Sequence, residues 1–310
     1  MAMLRLDERT KGAFVISVTP FHEDGRIDLD SLDSVLDFYV AQGVHGITLL
    51  GMMGEANKLT DDESVAVVRH GLARVAGRVT VVVGASNTSL TAMRALVDAA
   101  MEHGAAGIMV APASGLRTDD QVHGWTGTVC EALGPGVPLV WQDYPPTTGV
   151  YLSAPLFGRI VRDFPQVVML KTEDNPNLNK ITAIRRAEQM HEQRRVSIVV
   201  GNGGLFLPQS LARGADGVMT GFGFPRMLVE VFARYEAGDL DGAEDVYDAY
   251  LPLVVYEQQP GFGLAVRKEI LRRQGAIRTA TVRAPGPGLS GADLAEIDRL
   301  LARLEQRLHA

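Results

Sequence analysis

Short apolar runs alternate with stretches of helical periodicity along most of the chain. Eight of these runs read as strands: Ala13–Thr19, Gly46–Leu50, Val79–Gly84, Gly107–Ala111, Pro138–Gln142, Val167–Lys171, Ser197–Gly201 and Gly217–Gly221. They are rich in Val, Ile, Leu and Met and are not polar at alternate positions. Strands covered on both faces read this way, as in a parallel sheet. Between them, apolar residues spaced for one face of a helix predict helices over Leu29–Gln42, Asp61–Val75, Leu90–His103 and Asp119–Leu133. Thr60-Asp61-Asp62-Glu63 is a capping box that starts the second of these helices.

A faint repeat carries the same message. Ala41-Gln42-Gly43-Val44-His45-Gly46-Ile47 recurs as Glu102-His103-Gly104-Ala105-Ala106-Gly107-Ile108 and as Ala212-Arg213-Gly214-Ala215-Asp216-Gly217-Val218. Each copy is a helix end closed by glycine, a tight turn and a new buried strand. Eight such units predict an α/β fold of the (β/α)8 TIM barrel type. An open doubly wound sheet is the structural rival, and the chain lacks that fold's phosphate-binding glycine fingerprint. From about Pro225 onward no strand is legible. Helical segments near Met227–Glu236, Asp239–Tyr256, Phe262–Gln274 and Gly291–Leu308 are broken by Pro260-Gly261 and by Ala284-Pro285-Gly286-Pro287-Gly288. The first would close the barrel and the others would form a small C-terminal helical appendage. The expected division is a barrel over 1–237 and a helical region over 238–310.

Composition narrows the function. The 310 residues carry 30 Lys plus Arg against 37 Asp plus Glu, a formal charge of −7. An acidic balance argues against nucleic acid as a partner. No apolar run is long enough for a membrane span. Charge arrives within Met1–Arg9 before a signal core could form, so a cytoplasmic protein is expected. Cys130 is the single cysteine, which excludes an internal disulfide and any thiolate metal cluster. There is no His-x-His, His-Glu-x-x-His, P-loop or Gly-x-Ser-x-Gly motif, so neither a metal nor a cofactor is expected.

The lysines say more than the charge. Only Lys11, Lys58, Lys171, Lys180 and Lys268 occur, and the other cationic residues are arginine. Four of the five sit beside polar or charged residues, as solvated head groups do. Lys171 instead ends the apolar run Val167-Val168-Met169-Leu170. At a barrel strand end it would face the active site. Burial there would lower its pKa and favour the neutral amine, which can attack a ketone to form an imine. The alternative is a structural lysine paired with Glu173 or Asp174, or one whose head reaches the barrel rim.

Around these residues the chain resembles the dihydrodipicolinate synthase and N-acetylneuraminate lyase family of Schiff-base aldolases. The resemblance covers nearly the whole length. Thr19-Pro20-Phe21 with Asp24-Gly25-Arg26-Ile27-Asp28 looks like the family's first strand end and loop. Gly51-Met52-Met53-Gly54-Glu55, with Leu59-Thr60 and Glu63, resembles its Gly-x-x-Gly-Glu signature. Pro145, Thr148 and Gly149 match its Tyr-x-x-Pro-x-x-Thr-Gly segment, and Lys268-Glu269-Ile270-Leu271 resembles its tail helix. The resemblance implies that Lys171 forms the imine and that the partner is a small 2-oxo acid. It also implies a homo-oligomer, tetramer or dimer, with the helices after Pro225 contributing to an interface. The apolar run Leu251–Tyr256 is the sequence's own support for this, its alternative being packing on the barrel.

Departures from the family pattern limit what carries over. Met52 and Met53 stand where the family has hydroxyl residues that help hold the substrate carboxylate, so backbone N–H groups must do more of that work. Gln142 replaces the proton-shuttling tyrosine, and an amide cannot exchange a proton near neutral pH. Ser114 and Thr147 replace a second tyrosine and an arginine, which makes the lysine-biosynthesis synthase reaction improbable. The expected activity is a carbon–carbon or carbon–oxygen lyase working through a lysine imine on pyruvate or a larger 2-oxo acid. The alternatives are a dehydratase of 2-oxo-3-deoxy sugar acids and a member that binds a 2-oxo acid without turnover. Tyr144 is the candidate replacement for the shuttle, because positions 142 and 144 share one side of an extended segment. Glu173 is next in line, and Asp143 and Asn202 are further polar candidates. Met52, Met53, Gln142, Met219, Asn202 and Glu173 are expected to contact the substrate.

Overall fold

The structure, a computed structural model, describes residues 4–309. Met1–Met3, part of the stretch read for a leader, and Ala310 lie outside the described residues. Eight parallel strands close into a barrel in chain order. They are β1 (Gly12–Ile16), β2 (Gly46–Leu49), β3 (Thr80–Gly84), β4 (Gly107–Val110), β5 (Leu139–Asp143), β6 (Val167–Thr172), β7 (Ser197–Val200) and β8 (Gly217–Thr220). The helices of the barrel are α1 (Leu29–Ala41), α2 (Asp61–Val75), α3 (Leu90–Glu102), α4 (Asp119–Leu133), the single turn α5 (Pro145–Thr148), α6 (Ala154–Asp163), α7 (Asn177–Gln189), α8 (Leu207–Ala212) and α9 (Pro225–Glu236). Then follow α10 (Leu240–Tyr256), α11 (Gly263–Arg273) and α12 (Gly291–Leu308). The TIM barrel with C-terminal helices is therefore the fold.

Strand ends differ from the sequence reading by a few residues, and the differences have causes. β1 ends at Ile16, the Ser17 N–H making a last bond to the Thr48 carbonyl (2.9 Å). Beyond it Thr19 donates its hydroxyl to the Gly54 carbonyl (2.7 Å) and Pro20 has no N–H to continue a ladder. β5 and β6 each run one residue further than read. Asp143 pairs with Thr172, and the Glu173 N–H then donates to the Asp143 carbonyl at 2.9 Å. That extra pairing lies at the end of the barrel where polar chemistry can sit. The capping box at Thr60 and Glu63 is present as read.

The run Leu251–Tyr256 divides between two environments. Leu253 and Val254 are buried, whereas Val255 is exposed on α10. No helix among the described residues is long and apolar enough to cross a membrane.

Closure of the barrel depends on backbone approaching backbone where β8 meets β1. Gly12 pairs with Gly217 there, and a Cβ at Gly217 would lie 2.0 Å from the Gly12 carbonyl oxygen. Neither strand can yield without opening the ladder. Gly217→Ala should therefore cost about 3 kcal/mol of stability by urea unfolding. Gly124, exposed in the middle of α4 with open space around it, provides the contrast. Gly124→Ala should stabilise by about 0.5–1 kcal/mol. Equal effects at the two positions would contradict this account of closure.

Candidate active site

Three strands bring the site together. In register, Gln142 of β5 lies beside Lys171 of β6, which lies beside Val199 of β7. Lys171 is 4% exposed. Its Nζ lies 3.0 Å from Glu173 Oε2, and the same oxygen accepts from Gln142 Nε2 at 2.7 Å. Strand alternation puts residues 171 and 173 on one side, which is why the pair forms at all. Gly201 makes the space for it, since a Cβ there would sit 2.3 Å from Glu173 Oε1. Asn202, in the left-handed region at φ 52°, donates its side-chain amide to the Glu173 backbone carbonyl at 3.0 Å. Both an amine and a proton acceptor thus stand at the barrel's mouth. Transfer of one proton between them would leave a neutral nucleophile beside a carboxylic acid.

The two methionines of the turn after β2 part company. Met52 is 51% exposed and lines the cavity described below. Met53 is buried against Gly221, with Arg267 Nη1 2.9 Å from its sulfur, and it lies outside the cavity lining. The turn ends in Glu55, itself left-handed at φ 52° and buried. Its carboxylate accepts from Lys58 Nζ (2.8 Å), from the Arg283 N–H (3.0 Å) and from Lys268 Nζ.

Lys268 is fully buried and also donates to the carbonyls of Thr19 (2.9 Å) and Thr281 (2.8 Å). Burial pulls its pKa down to about 8, although the Glu55 charge opposes the shift. Arg283 in turn grips Glu63 with two bonds of 2.6 and 2.7 Å. Neither Lys268 nor Lys180 is a solvated head group, which corrects the reading from sequence neighbours. A buried ammonium is tolerated at Lys268 because a carboxylate and two carbonyls from distant segments surround it, and at Lys180 because two carboxylates, Asp143 and Asp174, accept from it.

A cavity of about 490 Å³ opens from Gln142 and Tyr144 toward α2 and α3. Leu50, Met52 and Met109 line part of it, and Ser114, Thr147 and Asn87 supply polar groups. Tyr144 lies on the Gln142 side of the segment, as the alternation predicts, and its phenol faces the Thr147 side chain. Burial first, then the Glu173 charge, raise the phenol's pKa. Near neutral pH it is a donor and not a base. Asp143, one position earlier, turns away from the cavity and is fully buried against Lys180. Met219 is fully buried beside Phe14 and is not part of the cavity wall, because it lies below the strand end in a packed layer. The expected contact set therefore contracts. Gln142, Tyr144 and Met52 border the cavity, Lys171 and Glu173 lie behind Gln142, and Asn202 buttresses Glu173. Lys180, Gly201 and the Glu55–Lys268 pair were not singled out as parts of the site. Only the scarcity of lysine in the chain hinted at two of them.

Comparison with known proteins follows from this geometry. A sequence profile of the dihydrodipicolinate synthetase family matches residues 9–304. L-2-keto-3-deoxyarabonate dehydratase of Azospirillum brasilense is 31% identical over 301 residues, covering 96% of this chain and 95% of that protein. The 4-hydroxy-tetrahydrodipicolinate synthase of Sorangium cellulosum is 32% identical over 306 residues, covering 96% and 97%. The crystal structure of a dihydrodipicolinate synthase from Rhodopseudomonas palustris superposes with a TM-score of 0.95 at 45% identity, covering 97% of this chain and 99% of that one.

The grip of Arg283 on Glu63 predicts a pH dependence. Hydrogen bonds from Arg283 hold the Glu63 carboxyl at about 2, below its ordinary 4.5. A carboxyl that ionises more readily when folded contributes stability that is present above about pH 4.5 and lost as pH falls toward 2. Glu63→Gln keeps a capping-box residue but loses the charge. Its stability deficit by urea unfolding should be largest at pH 6–7 and should shrink toward pH 3. A deficit independent of pH would assign the role to shape instead.

Proposed function

This chain belongs to the dihydrodipicolinate synthetase family, and on that premise we propose that it is a lysine-imine lyase of 2-oxo acids. The reaction its site suits best is loss of water from a 2-oxo-3-deoxy acid. One observation carries the reading: a carboxylate, Glu173, touches the Lys171 amine and accepts from the Gln142 amide, which by the family resemblance stands where a shuttle phenol would.

Lys171, having passed one proton to Glu173, attacks the C2 carbonyl. The oxygen collects one proton from the amine and the one held by Glu173 and leaves as water, which forms the iminium and returns Glu173 to a carboxylate. Glu173 takes a proton from C3, and the C3–H electron pair enters the C2–N system as an enamine. The enamine expels the C4 hydroxyl, which takes the proton held by Glu173 and departs as water. Hydrolysis at C2 then frees Lys171 and an unsaturated 2-oxo acid one water smaller than the substrate. Tyr144 serves as a donor to the substrate's oxygen atoms, in keeping with its raised pKa. The relative from A. brasilense, a 2-keto-3-deoxy acid dehydratase by name, supports the same direction.

Borohydride added with pyruvate, followed by intact-mass spectrometry and peptide mapping, tests the imine. The expected result is one adduct, on Lys171. Absence of an adduct across a panel of short 2-oxo acids, or one on another lysine, would overturn the reading. Glu173→Gln should retain trapping but lose about a hundredfold in turnover. Tyr144→Phe should trap normally, and a hundredfold loss of turnover there would move the proton transfer to the phenol. Release of an aldehyde in place of an unsaturated acid would indicate C3–C4 cleavage. Condensation of pyruvate with aspartate semialdehyde should be very weak, because Gln142, Ser114 and Thr147 offer neither the phenols nor the guanidinium that this reaction draws on in the family.

A further inference from the structure

Behind the Lys171–Glu173 pair, on the outer side of the strands, lies a second set of buried charges. Lys180, on the first turns of α7, donates to Asp143 Oδ2 at 2.6 Å and to Asp174 Oδ2 at 2.7 Å. All three side chains are largely or wholly buried, with exposures of 9%, 0% and 14%. Asp143 Oδ1 has no hydrogen-bond partner. Two carboxylates sharing one ammonium, with an orphan oxygen, is an expensive arrangement for the purpose of pinning a helix.

Its place in the chain explains what it holds. Asp143 directly follows Gln142, and Asp174 directly follows Glu173. Gln142 and Glu173 are the two side chains that meet at Lys171. The same strand ends are joined by the bond from the Glu173 N–H to the Asp143 carbonyl.

We propose that Lys180 is a positioning residue for the reaction: by bonding Asp143 and Asp174 at once, it sets the separation of the β5 and β6 ends and so the placement of the Glu173 carboxylate over the C3 position of a substrate bound to Lys171. The inference rests on the imine reading above. Lys180 touches neither substrate nor reacting atoms and acts through its neighbours. Removing its charge frees the loop after β6: Asp143, whose pKa burial raises to about 6 even beside Lys180, then takes up a proton and the bridge to Asp174 is lost. Lys171 itself is held by the β6 ladder and keeps its position. Imine formation and C3 proton removal should therefore separate.

The probe is pyruvate. On the enzyme its C3 hydrogens exchange with D2O through the enamine, so nuclear magnetic resonance, after subtraction of the protein-free rate, reads proton removal directly, and borohydride trapping reads the imine. In Lys180→Met the exchange rate should fall at least tenfold while the trapped fraction of Lys171 at saturating pyruvate stays within twofold. Lys180→Arg, which can bridge two carboxylates, should recover most of the exchange. A folded Lys180→Met that exchanges at the original rate would overturn the proposal, as would trapping and exchange falling together. Should Lys180→Met not fold, Asp174→Asn decides: about fivefold slower exchange with normal trapping is expected, and unchanged exchange overturns the proposal. Failure of the unaltered protein to form any adduct would instead sink the imine reading, and this inference with it.

Discussion

An ammonium withdrawn from water at the end of a closed barrel has to be matched by a counter-charge, and the Lys171–Glu173 pair is that match. Removing each ion from water costs several kcal/mol, and the attraction between them offsets this only with good geometry and further hydrogen bonds. The surroundings supply both. Gln142 gives Glu173 a second donor, Gly201 leaves it room, Asn202 fixes its backbone, and the extra residues of β5 and β6 hold the strand ends in register. Several local features that look unrelated in sequence are conditions for one buried ion pair.

The mouth of the barrel is also held from outside it. Lys268 of α11 ties the Gly51–Glu55 turn to the carbonyls of Thr19 and Thr281, while Arg283 and Glu63 fasten the tail segment to α2. The C-terminal helices are therefore part of how the substrate end of the barrel keeps its shape. The choice of lysine here has a physical basis. A compact ammonium with three rotatable donors satisfies three acceptors converging from different directions, which a planar guanidinium does poorly. For Lys171 the proposed imine gives a different reason, since that role requires a primary amine.

Where the family pattern has a phenol and two hydroxyls by resemblance, this chain has an amide and two methionines, so Gln142 offers no titrating group at that position. A phenol whose pKa is raised by burial donates but does not accept near neutrality. The carboxylate beside the Lys171 amine is the adjacent proton acceptor, which is the group the proposed dehydration calls for. Met52 alone meets the cavity, giving its rim an apolar contact in place of a hydroxyl. Met53 is a packing residue over Gly221.

The chain by itself determined the eight strand–helix units, because doubly covered strands and amphipathic helices leave different periods in the order of residues. It also marked Lys171, because one amine at the end of an apolar run in an arginine-rich chain breaks the local pattern. Tyr144 and Gln142 both line the cavity, although Tyr144 lies beyond the end of β5. What the tertiary structure decided was partnership. Asp143 faces Lys180 and not the cavity, Met219 lies in a packed layer, Gln142 bonds the Glu173 carboxylate, and Lys268 is buried although its sequence neighbours are charged. Each of these depends on which distant segment arrives at a strand end, over separations of 31 residues for Gln142 and Glu173 and 213 for Glu55 and Lys268. Periodicity describes which way a side chain points from its own element. The charge or carbonyl it meets is set by closure of the barrel and the return of the tail across its mouth.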